Sequence, residues 1–259
     1  MTHSIKGGRI VKSVTTTQTI IEYLAETGST RLCTIADDLD LADSTVHKHL
    51  TTLRRGGYVV KNEGKYQLGL RFLDIGGRAQ NQHSIFNIAQ PTVDELADET
   101  GERAQFVREE DGRGYYLHIA SGKQGVRAHS RLGKRLYLHS TASGKAILSQ
   151  LPEERVDAII DRWGLVGSTE NTVGDREELD ERLDAVRERG YAINDEEHVK
   201  GLRGIAAPVM RDDGEVLGSL SVGGPSHRIS DERLHSELAN QILGAANEIE
   251  LRVRFDETE

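Results

Sequence analysis

Two sets of residues in this 259-residue chain have the type and spacing to do chemistry. The first runs from Ser44 to Lys65. Ser44, Lys48, Thr51 and Arg55 recur at helical spacing, flanked by Thr45, His47 and Thr52, and Lys61 and Lys65 follow a Gly56-Gly57 pair. Short hydroxyls permit close approach to a groove, and cations suit phosphates or guanine edges. The second set is Thr141-Ala-Ser-Gly144, small residues at the start of a predicted helix. Unpartnered N–H groups there, with the positive end of the helix dipole, suit a carboxylate. Each set also has a plainer reading: a helical hairpin with a polar face, and a helix cap with no ligand.

Other chemistry fits poorly. Ala142-Ser-Gly-Lys145 is close to a phosphate loop, but G-x-x-x-x-G-K-[ST] needs Gly at 139 and Ser or Thr at 146, where the chain has His139 and Ala146. An S-x-x-K nucleophile pair fails because Ala142 stands three residues before Lys145. His118, His129, His139 and His198 lie on separate elements, with no HExxH or paired-Cys spacing. Asp195-Glu196-Glu197 reads as a solvated loop or helix start. No catalytic residue, metal or cofactor is therefore expected.

The first set needs positioning elements, and the sequence supplies them. A helix starts near Ser13, with Val14, Ile21 and Leu24 on one face, Ile20 beside them, and Gly28 as its stop. Thr34-Ile-Ala-Asp37 has the form of a capping box, from which Ala36 and Leu39 face inward. Asp40-Leu41-Ala42 is a turn, and Asp43 or Ser44 can cap the next helix. In that helix Val46, Leu50 and Leu53 make the buried stripe opposite the polar face, and Gly56-Gly57 ends it. Tyr58-Val59-Val60 and Tyr66-Gln67-Leu68 read as strands around the turn Lys61 to Gly64. Helix, turn, helix and two-stranded wing outline a winged helix-turn-helix over residues 10–69, a module that reads double-stranded DNA.

Charge distribution agrees. The chain is net −9, but residues 1–84 carry 11 Lys+Arg against 8 Asp+Glu, net +3, and the remainder 22 against 34, net −12. Phosphate binding needs a local positive footprint, not a basic protein. Arg outnumbers Lys 24 to 9 on an acid-rich background, which suggests a halophile's high-salt cytoplasm; an acidic protein from a GC-rich genome is the alternative. The single Cys33 permits no internal disulfide and is expected as a buried filler. The sequence has no apolar run near 18 residues and no signal peptide, so a cytoplasmic chain without a membrane partner is expected.

Leu70 to about Asn81 looks like a linking helix, interrupted or ended at Gly76-Gly77, within a linker over 70–84. From 85 to 255 helices and strands mix. Helices are expected at Ile85–Thr100 (broken or kinked at Pro91), Ala142–Gln150, Pro152–Trp163, Asp175–Arg189 and from Ser230 onward. Strands are expected at Gln105–Arg108, Tyr115–Ala120, Gly125–Ser130, Arg135–Leu138, Tyr191–Asn194, Gly204–Arg211 and Val216–Val222. This is an α+β pattern, an antiparallel sheet flanked by helices.

Three segments give the chain a family resemblance. They are Ser44-Thr-Val-His-Lys-His-Leu50, His139-Ser-Thr-Ala-Ser-Gly-Lys-Ala146, and Arg189 to Pro208 with the later Asp213-Gly and Gly224-Pro225. Over roughly residues 10–255 the chain resembles the IclR family of transcriptional regulators. The resemblance implies a GAF-like C-terminal domain that binds a small metabolite, often an organic acid, and a homodimer or homotetramer. It implies that the backbone of Ala142 and Ser143 holds the acid group and that Asn194, Leu202, Gly204, Ser221 and Gly223 line the rest. Asn194 stands where Asp is common in the family, Gly204 where Cys is common, and Gly223 where Ser occurs. These departures suggest a roomier pocket with fewer side-chain donors, for a larger sugar acid or aromatic acid rather than glyoxylate or pyruvate. The competing reading is an enzyme or small-molecule sensor whose N-terminal helices only dimerise.

Overall fold

Ile20 and Leu24, one helical turn apart, are buried and fix the inner face of helix α1 (Lys12–Thr27) in the computed structural model, which describes residues 10–125 and 130–256. Val14 is not part of that face. It is 53% exposed, because the small core it was expected to join reaches only the C-terminal half of α1. Strand β1 (Thr30–Arg31) pairs antiparallel with Tyr66 and Lys65 and leads straight into helix α2 (Leu32–Asp38). That early start puts Thr34 inside the helix, so the expected capping box does not form. Only Ile35 and Ala36 of α2 are buried; Cys33 is exposed on its outer side rather than a filler.

Helix α3 (Asp43–Arg55) follows a turn in which Asp40 takes φ +51°. Its cap residue is Ala42, and neither Asp43 nor Ser44 caps it; Asp43 sits instead in the first turn, where a carboxylate favours the dipole. Val46, Leu50 and Leu53 are its buried stripe, as expected from their spacing. Gly57, at φ +75°, turns the chain into β2 (Val59–Asn62) and β3 (Lys65–Leu68). The wing turn is Glu63-Gly64, so Lys61 and Asn62 belong to β2. Helix α4 (Arg71–Asn81) runs unbroken through Gly76-Gly77, contrary to expectation, because neither glycine takes a left-handed φ. The described chain divides into two compact units, one ending at Ala79 and one beginning at Gln80.

In the second unit, helix α5 (Ile85–Thr100) passes through Pro91 without a break and ends at left-handed Gly101. Strands β4 (Arg103–Glu110) and β5 (Arg113–Ser121) form a hairpin whose turn, Asp111-Gly112, has positive φ at both residues, the geometry that matches strand twist. The expected strand Gly125–Ser130 falls largely on 126–129, outside the described residues. Then come β6 (Arg135–Leu136), α6 (Ala142–Gln150), α7 (Glu153–Trp163), α8 (Arg176–Arg189), β7 (Ala192–Asp195), β8 (Leu202–Met210) and β9 (Val216–Pro225). The C-terminal helix comprises Asp231–Arg233, a π-helical turn Leu234–Leu238 and Ala239–Asp256.

Among the described residues these strands make one antiparallel sheet, in the order β6-β5-β4-β9-β8-β7. Period-two alternation divides its faces. Ala104, Phe106, Ile205, Ala207, Leu220 and Val222 point into the main core with α5 and the C-terminal helix. The opposite face carries smaller and polar residues, and α6 lies on it: Ala142 and Ala146 pack with Ala192, Ala206 and Val186. The architecture is mixed α+β: an N-terminal helix-turn-helix unit, followed in the chain by an antiparallel sheet flanked by helices.

Candidate nucleic-acid interface and ligand cavity

The polar face of α3 points to solvent because its other side is committed to the core. Ser44, His47, Lys48 and Arg55 are exposed, Thr45 and Thr51 are half-buried, and Lys61 and Lys65 are exposed on the wing. The Thr52 hydroxyl is used locally, donating to the Lys48 carbonyl at 2.9 Å. His49, from the inner side, meets the Thr17 hydroxyl at 2.8 Å and ties α3 to α1. On the wing, the Lys61 ammonium lies 5.1 Å from the Tyr66 ring centre. Arg71 donates to the Gly56 carbonyl at 3.0 Å and stacks over Tyr58, holding the end of α3 against the start of α4.

In the second unit, the seven residues expected at a ligand site, Ala142, Ser143, Asn194, Leu202, Gly204, Ser221 and Gly223, all line one cavity of about 110 Å³. Sheet register explains the convergence. Arg103, Gly223, Gly204 and Asn194 are paired neighbours across β4, β9, β8 and β7, forming one row of the sheet face. The row beneath is Gln105, Ser221, Ala206 and Ala192. Helix α6 rests on the alanines of the second row, while the two glycines leave the first row open as a floor. Gly204 is also demanded by the backbone, since a Cβ there would lie 2.8 Å from the Val222 carbonyl oxygen.

Helix α6 is held tightly at its start. A Cβ on Gly144 would lie 2.0 Å from the Leu138 carbonyl oxygen, so only glycine allows this approach. The Thr141 hydroxyl accepts from the Gly144 N–H at 3.0 Å, a side-chain cap. Ala142 and Ser143 are the first two helical residues, so their N–H groups have no partner within the helix, and both residues face the cavity.

The cavity also has side-chain donors outside those seven positions. Arg103, Gln105, Tyr116, Lys134 and His198 also line the cavity, from β4, β5 and the loops after β5 and β7. Arg103 is only 7% exposed, and burial lowers its pKa. The Lys134 pKa is pushed down by burial and then by Arg131 and Arg103. Burial, then Lys134, lowers the His198 pKa, so the ring is neutral near pH 7. Arg103 and Gln105 had a sequence signal: they alternate with Ala104 and Phe106, which places them on the opposite face from the core.

The expectation that Asp195-Glu196-Glu197 is solvated is also overturned at its last residue. Glu197 is 2% exposed and forms an ion pair with Lys145 of α6, likewise 2% exposed. Burial lowers the Lys145 pKa, and the Glu197 charge and hydrogen bond oppose that shift. The Glu197 carbonyl accepts from the Thr172 hydroxyl at 2.6 Å, and the Glu196 carbonyl from Thr169 at 2.8 Å. The His198 N–H donates to the Asn194 side chain at 3.1 Å. These bonds hold the loop carrying His198 against both α6 and β7.

Residues 77–251 match the family profile of the bacterial transcriptional regulator IclR C-terminal domain, and residues 13–63 that of the IclR helix-turn-helix domain. The chain belongs to the IclR family. It is 34% identical over 249 residues to a probable HTH-type transcriptional regulator ArcR of Halobacterium salinarum, covering 95% of each chain. The halophile reading of its charge fits that haloarchaeal relative. The crystal structure of the Thermotoga maritima IclR protein is similar at TM-score 0.78 and 25% identity, over 93% of this chain and 98% of that one. An IclR homologue from Microbacterium hydrocarbonoxydans complexed with 4-hydroxybenzoate shares the fold at TM-score 0.75 and 22% identity, over 92% of this chain and 99% of that one. IclR proteins are DNA-binding transcriptional regulators with a helix-turn-helix and an effector domain, not enzymes, and this chain is one of them. No described helix is long and apolar enough to cross a membrane, and no described cluster of His, Cys, Asp or Glu could hold a metal ion.

Proposed function

We propose that this IclR-family protein binds double-stranded operator DNA as a homodimer or homotetramer, in the cytoplasm on the chromosome, under control of a small carboxylate. The winged module over 10–69 reads the operator, 70–84 links, and the GAF-like domain over 85–255 senses the ligand. Ser44, Thr45, His47, Lys48, Thr51 and Arg55 enter the groove, and Lys61 and Lys65 of the wing contact phosphates. Their position opposite the buried stripe of α3 supports this. Self-association is supported by apolar residues left in solvent, Ile10, Val11 and Val14 at α1, and Leu70, Leu73 and Ile75 at α4.

The observation that carries the ligand reading is the convergence of Ala142, Ser143, Asn194, Leu202, Gly204, Ser221 and Gly223 on one cavity at the start of α6. The N–H groups of Ala142 and Ser143 receive the carboxylate, as helix N-termini receive anions generally. The carboxylate bound by the Microbacterium homologue supports that ligand class. Binding favours one arrangement of subunits, and the operator is gained or lost by population shift.

The test is fluorescence anisotropy on the chain's own upstream duplex against a scrambled duplex, in moderate and molar potassium chloride. A panel of carboxylates including 4-hydroxybenzoate is then added. Specific binding that a carboxylate alters is expected. Ser143→Pro, which removes one N–H where the first helical turn tolerates proline, should abolish the response and keep the unliganded affinity. A normal response in that variant would remove α6 from the ligand site.

A further inference from the structure

Two uncharged side chains in the cavity wall have buried polar atoms that nothing satisfies. Gln105 Oε1 and His198 Nδ1 have no hydrogen-bond partner among the described residues, and both residues line the cavity. Other uncharged groups of the wall are committed. The Asn194 side chain accepts from the His198 N–H at 3.1 Å and donates to the Leu202 carbonyl at 3.3 Å. The Thr141 hydroxyl caps Gly144, and the Ser221 hydroxyl donates to the Gln105 backbone carbonyl at 3.4 Å. A buried polar atom left unpaired costs the fold on the order of a tenfold loss in its equilibrium constant. Two of them in one ligand-sized cavity point to a ligand that pairs them.

Both residues are held in place by their backbones. Gln105 sits within β4, paired with Ile119 of β5 on one side and Ser221 of β9 on the other. It ends the row in which α6 covers the alanines of β8 and β7. His198 sits on the loop that the buried Lys145–Glu197 pair and the Thr169 and Thr172 hydroxyls fix. The terminal torsions of glutamine and histidine are broad and nearly two-fold, so either side chain can turn its unpaired atom to an incoming group.

The chemistry of the two atoms narrows that group. A glutamine carbonyl only accepts, so it needs a donor. The His198 ring is neutral near pH 7, and its Nδ1 donates in one tautomer and accepts in the other. A ketone, an ether or a second carboxylate accepts only and leaves Gln105 unpaired. An ammonium donates only and suits one tautomer of His198. A hydroxyl does both and suits either. An alkyl chain would seal both atoms unpaired.

We infer that Gln105 and His198 are specificity-determining residues that bind hydroxyl groups of the ligand, which is therefore a hydroxylated carboxylic acid. This rests on the reading of the cavity as a carboxylate site and adds what is recognised beyond the acid group. A wall built to pair a hydroxyl rejects the analogue that lacks it, because its own polar atoms then stay buried and unpaired.

Calorimetric titration of the full-length protein at fixed ionic strength tests this with two matched sets. The first is gluconate, hexanoate (no hydroxyls) and glucitol (no carboxylate). The second is 4-hydroxybenzoate, benzoate and 4-hydroxybenzyl alcohol. At least one hydroxy acid should bind roughly ten- to a hundredfold more tightly than its deoxy match, the effect of one or two hydrogen bonds to otherwise unpaired groups. Gln105→Leu and His198→Phe should each shrink that ratio to a few-fold by weakening the hydroxy acid. The ratio is taken within one variant, so a general loss of affinity does not imitate the effect, and the second variant decides if the first misfolds. Preference within the first set assigns a sugar acid, and within the second a hydroxylated aromatic acid. Deoxy acids binding as well as hydroxy acids would overturn the inference and leave the α6 carboxylate site standing. So would a hydroxyl preference that survives both substitutions. Neutral alcohols binding as tightly as the hydroxy acids, with a ratio still lost in the variants, would remove the carboxylate site and keep the hydroxyl role of Gln105 and His198. If no probe binds, both fall together.

Discussion

The two units of this protein handle charge in opposite ways. In the helix-turn-helix unit the core is apolar, from Ile20 to Tyr66, and its described cations lie at the surface. In the effector unit charge is held inside: Lys145 with Glu197, Glu102 with two arginines, and Arg103 at the cavity wall. Under the proposed function the difference follows from what each unit would meet. A DNA groove is a large, wet polyanion approached from outside, whereas a small carboxylate would have to be surrounded and desolvated. Surface cations can change at little expense to folding, but buried ones need partners.

The comparison breaks most sharply at the Lys145–Glu197 pair. Glu197→Ala leaves a buried ammonium without its carboxylate and should cost about 3–5 kcal/mol of unfolding free energy by chemical denaturation. The apolar double substitution Lys145→Met with Glu197→Leu should recover most of that loss, and failure to recover would mean that packing, not charge, holds the loop to α6. In the other unit, no single surface cation should approach this effect on stability.

Glu102 gives the second contrast. Burial raises its pKa, but hydrogen bonds and charge from Arg228 and Arg233 outweigh this and leave it below the ordinary carboxylate range. A carboxylate held low in the folded state stabilises above its unfolded pKa, and that contribution fades as pH falls through the folded value. Unfolding free energy of the wild type should therefore drop on acidification, and Glu102→Gln should be less stable near neutrality and show a shallower acid slope. An unchanged slope would mean that the arginines do not hold the charge.

The operator face should respond in function rather than stability. Lys48→Ala and Thr51→Ala should each weaken specific operator binding by about 1–3 kcal/mol in anisotropy while leaving the thermal midpoint nearly unchanged. Equal losses on scrambled duplex would reduce either residue to a phosphate contact. The smallest effect should be Thr141→Ala, which removes the cap on Gly144 and should cost about 1 kcal/mol in thermal unfolding, with weaker response to a carboxylate probe.

Legibility differed between the units for the same reason as their charge. The stripe Val46, Leu50, Leu53 and its polar opposite face are local patterns of one helix, and α3 follows them. The Thr34 capping box was a local pattern too, but β1 pairing with β3 moved the helix start and left it unused. At the cavity, family resemblance pointed to seven residues that line it, yet missed Arg103, Lys134 and His198. These come from separate elements, and only strand register brings Arg103 beside Gly223. Glu197 looked like part of an acidic run because nothing near it in sequence reveals Lys145, 52 residues away.

The amino-acid sequence by itself determined the helix-turn-helix unit, the α+β class of the second unit and the small-residue start of α6, because each is written in local periodicity, glycine placement and short motifs. Only the tertiary structure decided which charges are buried, which are paired, and which share the cavity. Those properties depend on desolvation and on neighbours across the sheet, and sequence spacing encodes neither.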